Sequence, residues 1–162
     1  MILAIFLEAT MLQSESIANL AKALSIVQGK LTHAKKDSAN PFFKSKYADL
    51  ESVWDACRDL LAVNGLSVAQ FPGTYSELDK SMSLTTILMH SSGEWISQEM
   101  SVPCGTMGRD GALKLDAQAA GSALTYMRRY ALAAVVGVVQ ADDDGNAASV
   151  QPKSVSKPQE FI

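Results

Sequence analysis

Residues 82–90 and 94–102 read as two strands separated by Ser91-Ser92-Gly93, and this pairing limits the possible folds more than any other feature of the chain. A short polar turn ending in glycine closes an antiparallel hairpin, because strands joined that tightly cannot run parallel. Leu84, Thr86 and Leu88 alternate with Ser83, Thr85 and Ile87, which sends successive side chains to opposite faces and implies partial cover on both. Residues 66–71 read as a further strand immediately upstream. Together these runs predict a three-stranded antiparallel meander that needs a second layer against it.

Helical patterns on either side supply that layer. Over residues 14–31, Ile17, Leu20, Ala21, Leu24 and Val27 recur at steps of three and four, with Ser14 placed to cap. Residues 49–64 carry Leu50, Val53, Trp54, Cys57, Leu60 and Leu61 on one face, acids in the first turn, and Gly65 as the stop. A third helix is expected over residues 116–136. Between the first two helices, residues 32–47 contain Asn40-Pro41, several lysines and Phe42, Phe43 and Tyr47 without a period, and read as a long exposed loop. Gly105, Gly108 and Gly111 mark residues 104–114 as a mobile loop rather than a strand or helix. The order is that of an α+β fold with helices on one side of an antiparallel sheet.

The length of 162 residues suits one compact domain, expected over 13–147, with an N-terminal extension over 1–12 and a flexible tail over 148–162 that contains Pro152 and Pro158. Apolar residues make up 48% and charged residues 19%, enough for a packed core and against wholesale disorder. The apolar opening of residues 1–7 has no basic flank and is far shorter than the ~20 residues that cross a bilayer. Cys57 and Cys104 form neither a disulfide framework nor a zinc pattern, which fits a reducing cytoplasm.

A net charge of -3 argues against binding nucleic acid by overall positive charge, so local clusters must decide. Lys30, His33, Lys35, Lys36, Lys44 and Lys46 face the single acid Asp37 between residues 30 and 46, as a solvated loop or as a polyanion contact. Arg128 and Arg129 are flanked by Tyr126 and Tyr130. Guanidinium groups meet phosphate while aromatic rings stack on bases, so this combination suits a flexible polyanion. On a helical wheel Ala117, Leu124, Ala131, Leu132 and Val135 share the face expected to meet the sheet, with Tyr126, Arg129 and Tyr130 opposite. Arg128 falls near the apolar face, where an internal or intersubunit ion pair is expected of it. The alternative for Arg129 is an ordinary solvated arginine, and for the tyrosines packing at the rim of the core.

The glycine loop, with Arg109 and Lys114, offers backbone amides to an anion, but it matches neither a phosphate-binding loop nor a dinucleotide fingerprint. No ATP machinery, metal site or cofactor is expected. Asp142, Asp143 and Asp144 depart from the calcium-loop pattern and read as a hydrated acidic turn or as partners for basic residues of a neighbouring subunit. His33 and His90 lie far apart and no serine or cysteine has a nucleophile context, so a catalytic triad has no support and enzyme activity is not expected.

Two ordered segments carry a family resemblance: Asn40-Pro41-Phe42-Phe43-Lys44-Ser45-Lys46-Tyr47-Ala48-Asp49-Leu50, and Gly121-Ser122-Ala123-Leu124-Thr125-Tyr126 with Arg128-Arg129-Tyr130-Ala131-Leu132, Gly137 and Asp142-Asp143-Asp144-Gly145-Asn146. With these the chain resembles the Erf family of phage single-strand DNA annealing proteins across most of residues 13–147. The resemblance implies a Rad52-like β-β-β-α core and ATP-independent binding and annealing of single-stranded DNA in phage recombination, in the cytoplasm of a bacterial host. The partners it implies are single-stranded DNA, further copies of the chain in a ring or helical filament, and a host or phage single-strand binding protein. Lys35, Lys36, Phe43, Lys44, Lys46, Tyr47, Arg109, Lys114, Tyr126, Arg128, Arg129 and Tyr130 are the expected DNA-binding residues. An oligomeric scaffold without DNA activity and a metal-dependent nuclease are the competing readings.

Overall fold

A computed structural model of the chain describes residues 11–32, 38–39, 46–108, 113–114 and 116–139, with the backbone alone at 38–39, 46–47, 106–107 and 113–114. In chain order the elements are β1 (Leu12–Gln13), α1 (Ala18–Gln28), β2 (Ser38–Ala39), β3 (Lys46–Tyr47), α2 (Leu50–Val63), β4 (Leu66–Ser76), β5 (Ser81–His90), β6 (Trp95–Pro103), β7 (Thr106–Met107), β8 (Leu113–Lys114) and α3 (Ala117–Val136). The expected α+β architecture is present: β4, β5 and β6 form an antiparallel meander, and the sheet runs in the order β1-β6-β5-β4. The fourth strand, β1, pairs Leu12 with Ser97 and Gln13 with Ile96 at one edge. A two-residue strand is too short to show a period, which is why the sequence pattern does not reveal it.

Three further expectations are corrected for the same reason or a related one. Residues 32–47 are not loop throughout, since β2 and β3 pair antiparallel, Ser38 with Tyr47 and Ala39 with Lys46. Residues 104–114 are likewise not all loop: β7 and β8 pair Thr106 with Lys114 and Met107 with Leu113. Strand β4 continues through Pro72 and Gly73 to Ser76, beyond the expected end at Phe71. Proline is tolerated because β4 is an edge strand, and the register shifts between Pro72 and Tyr75 to absorb the irregularity. A side chain at Gly73 would put its Cβ 2.1 Å from Ser83 Oγ, so the Ser83 hydroxyl would have to swing aside to admit one.

Alternation on β5 sets which face is covered. Leu84, Thr86 and Leu88 are buried, while Ser83, Thr85 and Ile87 are half-buried on the other face. Leu88 pairs with Val68 on β4 and Ile96 on β6, and this face packs against all three helices. Leu20, Ala23 and Val27 of α1, Val53, Cys57 and Leu61 of α2, and Leu132, Ala133 and Val136 of α3 complete the core. The face predicted for α2 is the one observed. On α1, Ala23 rather than Ala21 is the buried alanine.

Helix α1 starts at Ala18, not Ser14, and Ser14 does not cap it. Ser14 instead joins the edge of the sheet, donating its backbone N–H to Trp95 O at 2.9 Å and accepting from Trp95 N through Oγ at 2.9 Å. The start of α1 is capped from the far end of the β5–β6 hairpin. Glu94 accepts from Leu20 N at 2.7 Å through Oε2, and from Asn19 Nδ2 and Ser16 Oγ at 3.0 and 3.1 Å through Oε1. Helix N-termini expose unpaired N–H groups and partial positive charge, so a carboxylate from elsewhere can do the work of a local cap.

The ends of α2 and α3 are closed locally. Asp49 accepts from Ser52 N at 2.8 Å at the start of α2. Asp116 accepts from Gln118 N and Ala119 N at the start of α3. At the far end Gly137 takes φ 85°, and both its N–H and that of Val138 donate to Ala133 O. Gln28 donates from Nε2 to Val136 O at 3.2 Å, so α1 supplies a donor to the end of α3.

Two outcomes follow from this capping. The backbone N–H of Leu20, with Asn19 and Ser16, holds the Glu94 carboxyl below the usual carboxylate range. A carboxyl whose pKa is depressed by folding stabilises fully above its unfolded value and loses that contribution as pH falls through the folded one. Glu94→Gln is therefore expected to lower the thermal midpoint at neutral pH, with the gap from wild type closing as the solution is acidified through the carboxylate range. Gly137→Ala, which forces a Cβ into a left-handed residue 3.0 Å from Gln28 Nε2, is expected to cost about 1–2 kcal/mol in chemical denaturation.

Candidate nucleic-acid interface

Helix α3 carries the described part of the site. Asp116 caps its start, Gly137 ends it, and Met127, Leu132, Ala133 and Val136 are buried. This departs from the expected wheel: Ala117 is exposed, and Leu124, Ala131 and Val135 are half-buried at the margins. The covered sector is wide because α3 meets the sheet on one side and α1 and α2 on another.

The rotation reverses the expected roles of the paired arginines. Arg128, expected near the apolar face and in an ion pair, is exposed and makes no ion pair with any described residue. Arg129, expected on the solvent side, is half-buried. Its Nη1 donates to Ala48 O at 3.4 Å, and its guanidinium carbon lies 4.8 Å from the Tyr130 ring centroid and 5.9 Å from that of Tyr126. The tyrosine rings stand 4.3 Å apart at 40°. Such spacing gives cation–π and ring–ring attraction together.

Tyr126 remains 46% exposed, enough for one ring face to be offered to solvent. Burial of the rest, and then the Tyr130 phenol beside it, push the Tyr126 phenol above its ordinary value. The hydroxyl therefore keeps its proton at neutral pH and remains a donor. From the sheet side, Gln70 donates through Nε2 to Arg128 O at 2.9 Å and to Thr86 Oγ1 at 3.3 Å. The turn of α3 that bears both arginines is thus fixed from two directions, by Gln70 of β4 and by Ala48 before α2. Sequence reasoning missed Gln70 and Ala48, since neither a neutral amide on a strand nor an alanine carbonyl has a signature.

A groove of about 570 Å³ runs between β6 and α3, with Met11, Ile96, Met100, Ala131 and Tyr130 among its walls. Among the described residues lining it Glu99 is the one charged side chain, and a carboxylate there repels phosphate. The outward side of α3 carries Arg128 and Tyr126, both exposed.

The other expected contacts divide by what the structure describes. Lys46 and Tyr47 lie on β3, two and one residues before Ala48, and Lys114 lies on β8 at the entry to α3. Lys35, Lys36, Phe43, Lys44 and Arg109 lie outside the described residues, as do Asp142, Asp143 and Asp144. The Arg129 guanidinium is tied through Ala48 O to the chain immediately after β3, which carries Lys46 and Tyr47.

The ERF superfamily profile matches residues 20–160, a span that contains most of α1, all of α2 and α3, and strands β4, β5 and β6 of the sheet. The chain belongs to the ERF superfamily. At a general level this makes it a phage protein of recombination and single-strand annealing, in a superfamily of DNA-binding, oligomerising proteins rather than classical enzymes. No curated protein and no solved structure matches the chain. The match agrees with the two motifs, at residues 40–50 and 121–146, that carry the resemblance in the sequence.

Among the described residues no group of three or more His, Cys, Asp or Glu side chains is arranged to hold a metal ion. No helix among them is long and apolar enough to cross a membrane. Cys57 is fully buried in this ERF chain, its Sγ donating to Val53 O at 3.2 Å, and burial pushes its thiol up to about 11. The thiolate is the reactive form. Cys57 is therefore expected to resist maleimide in the native protein at neutral pH and to react once the chain is unfolded in denaturant, as mass spectrometry of quenched samples would read.

Proposed function

We propose that this chain binds single-stranded DNA and anneals complementary strands without nucleotide triphosphate, as a ring or helical filament of identical subunits. The observation that supports this best is the exposed Arg128 beside the Tyr126–Tyr130 pair, in a chain of the ERF superfamily. Arg128 holds a phosphodiester oxygen, and the open face of Tyr126 stacks on a base or supports the sugar. Lys46, with Lys35, Lys36 and Lys44 of the same segment, extends the cationic track along the backbone, and Arg109 and Lys114 extend it at the entry to α3. Contacts to the backbone leave base edges available to a second strand, which is what annealing requires.

Each subunit then contributes a weak contact, and repetition around the oligomer multiplies it. The net charge of -3 is compatible with this arrangement, because a cationic track along one surface attracts phosphate locally while acids elsewhere limit non-specific association. A host or phage single-strand binding protein is the partner from which such a protein takes its substrate.

The test is an annealing assay with complementary oligonucleotides and no nucleotide triphosphate, beside a salt titration of single-strand binding. Arg128→Ala is expected to flatten the dependence of log K on log salt by about 0.7 for each phosphate that the arginine neutralises. Tyr126→Ala is expected to cost about 1–3 kcal/mol of binding for each base it stacks. Substituting Lys44 and Lys46 together by alanine is expected to weaken binding uniformly over sequences. A wild-type chain that assembles but retains no oligonucleotide is a scaffold, and one that degrades labelled strands in magnesium or manganese is a nuclease; either result overturns the proposal.

A further inference from the structure

We propose that Arg129 is a positioning residue that clasps α3 to the junction of β3 and α2 at Ala48 and holds the tyrosine pair in a fixed orientation beside it, while Arg128 alone of the two meets phosphate. This rests on the single-strand DNA reading for its consequence, though not for the clasp itself. Neighbouring residues on a helix point about 100° apart, so two adjacent arginines leave it in different directions. The exposed one here is Arg128 and the half-buried one is Arg129.

The contacts that Arg129 makes with described residues are all to the protein's own frame. Its Nη1 reaches Ala48 O, and Ala48 is 0% exposed, a point where the chain passes from β3 into the Asp49 cap of α2. The flat guanidinium lies near both tyrosine rings, at 4.8 and 5.9 Å, which fixes the rings relative to each other as well as to the junction. Lys46 and Tyr47 immediately precede this junction. An arginine is needed rather than a lysine, because only a planar fork donates at its edge while stacking by its face. Gln70 holds the same turn from the sheet through Arg128 O, so the backbone between the two arginines cannot roll to exchange their roles.

The experiment has two arms on the full-length protein. In the first, amide hydrogen exchange without DNA compares wild type with Arg129→Ala and Arg129→Lys. Both variants are expected to exchange faster at residues 46–53 while the amides of β5 stay protected, because the clasp is gone and the sheet is not. In the second, single-strand affinity is measured across a salt titration. Arg129→Ala is expected to weaken binding about tenfold with an unchanged salt slope, and Arg129→Lys is expected not to rescue it, whereas a direct phosphate contact would be restored largely by the lysine charge. Unchanged exchange at 46–53, a flattened slope for Arg129→Ala, or rescue by Arg129→Lys overturns the assignment. If Arg129→Ala fails to fold, the charge-retaining Arg129→Lys carries both arms. A wild-type protein that binds no single strands defeats the functional reading alone, since the exchange arm still decides whether the clasp exists.

Discussion

The two-residue period of strand β5 governs the rest of the structure. Leu84, Thr86 and Leu88 fall on one face, and burying that face requires every helix to lie on the same side of the meander. A slip of one residue against β4 or β6 would exchange Leu88 with Ile87 and Thr86 with Thr85, and would move the apolar surface away from α1, α2 and α3. Thr86 is the polar member of that face, and its hydroxyl accepts from Gln70 rather than standing unpaired. Through Gln70 the same strand reaches Arg128 O, so the register of the sheet also sets the rotation of α3.

That rotation separates two residues that look equivalent in the chain. A wheel based on the apolar residues of α3 alone gives the wrong arginine to solvent, because it assumes a single covering surface. The helix instead touches the sheet and two other helices, and its buried residues Met127, Leu132, Ala133 and Val136 span a sector that one stripe cannot represent. The consequence for the site is a division of labour, one cation outward beside Tyr126 and one turned inward to Ala48.

Much of the fold is legible in the residues, for identifiable reasons. The α2 face, the Gly65 stop and the β5–β6 hairpin are encoded by contacts close in sequence, where period and turn chemistry carry the information. What escapes is encoded by distance. Glu94 caps α1 across 74 residues, Gln28 caps α3 across 108, and Ala48 meets Arg129 across 81. Two-residue ladders such as β2–β3 and β7–β8 escape for the opposite reason, being too brief to show alternation. Of the candidate site, Tyr126, Tyr130 and the arginine pair come together as the motif suggests, while Gln70 lies outside both motifs and Ala48 acts through a backbone carbonyl that its side chain does not mark.

The Glu94 carboxylate belongs to the tip of the hairpin yet satisfies the first amides of the N-terminal helix. Opening that helix strands a charged acceptor at the turn, and opening the turn leaves the amides of Leu20 and its neighbours without it. Two elements far apart along the chain are therefore coupled into one cooperative unit that loosens as a whole. Such a unit has to close a long loop before it gains anything, so it belongs to the late, slow part of assembly. The cap of α1 is complete only when the hairpin that carries Glu94 is in place.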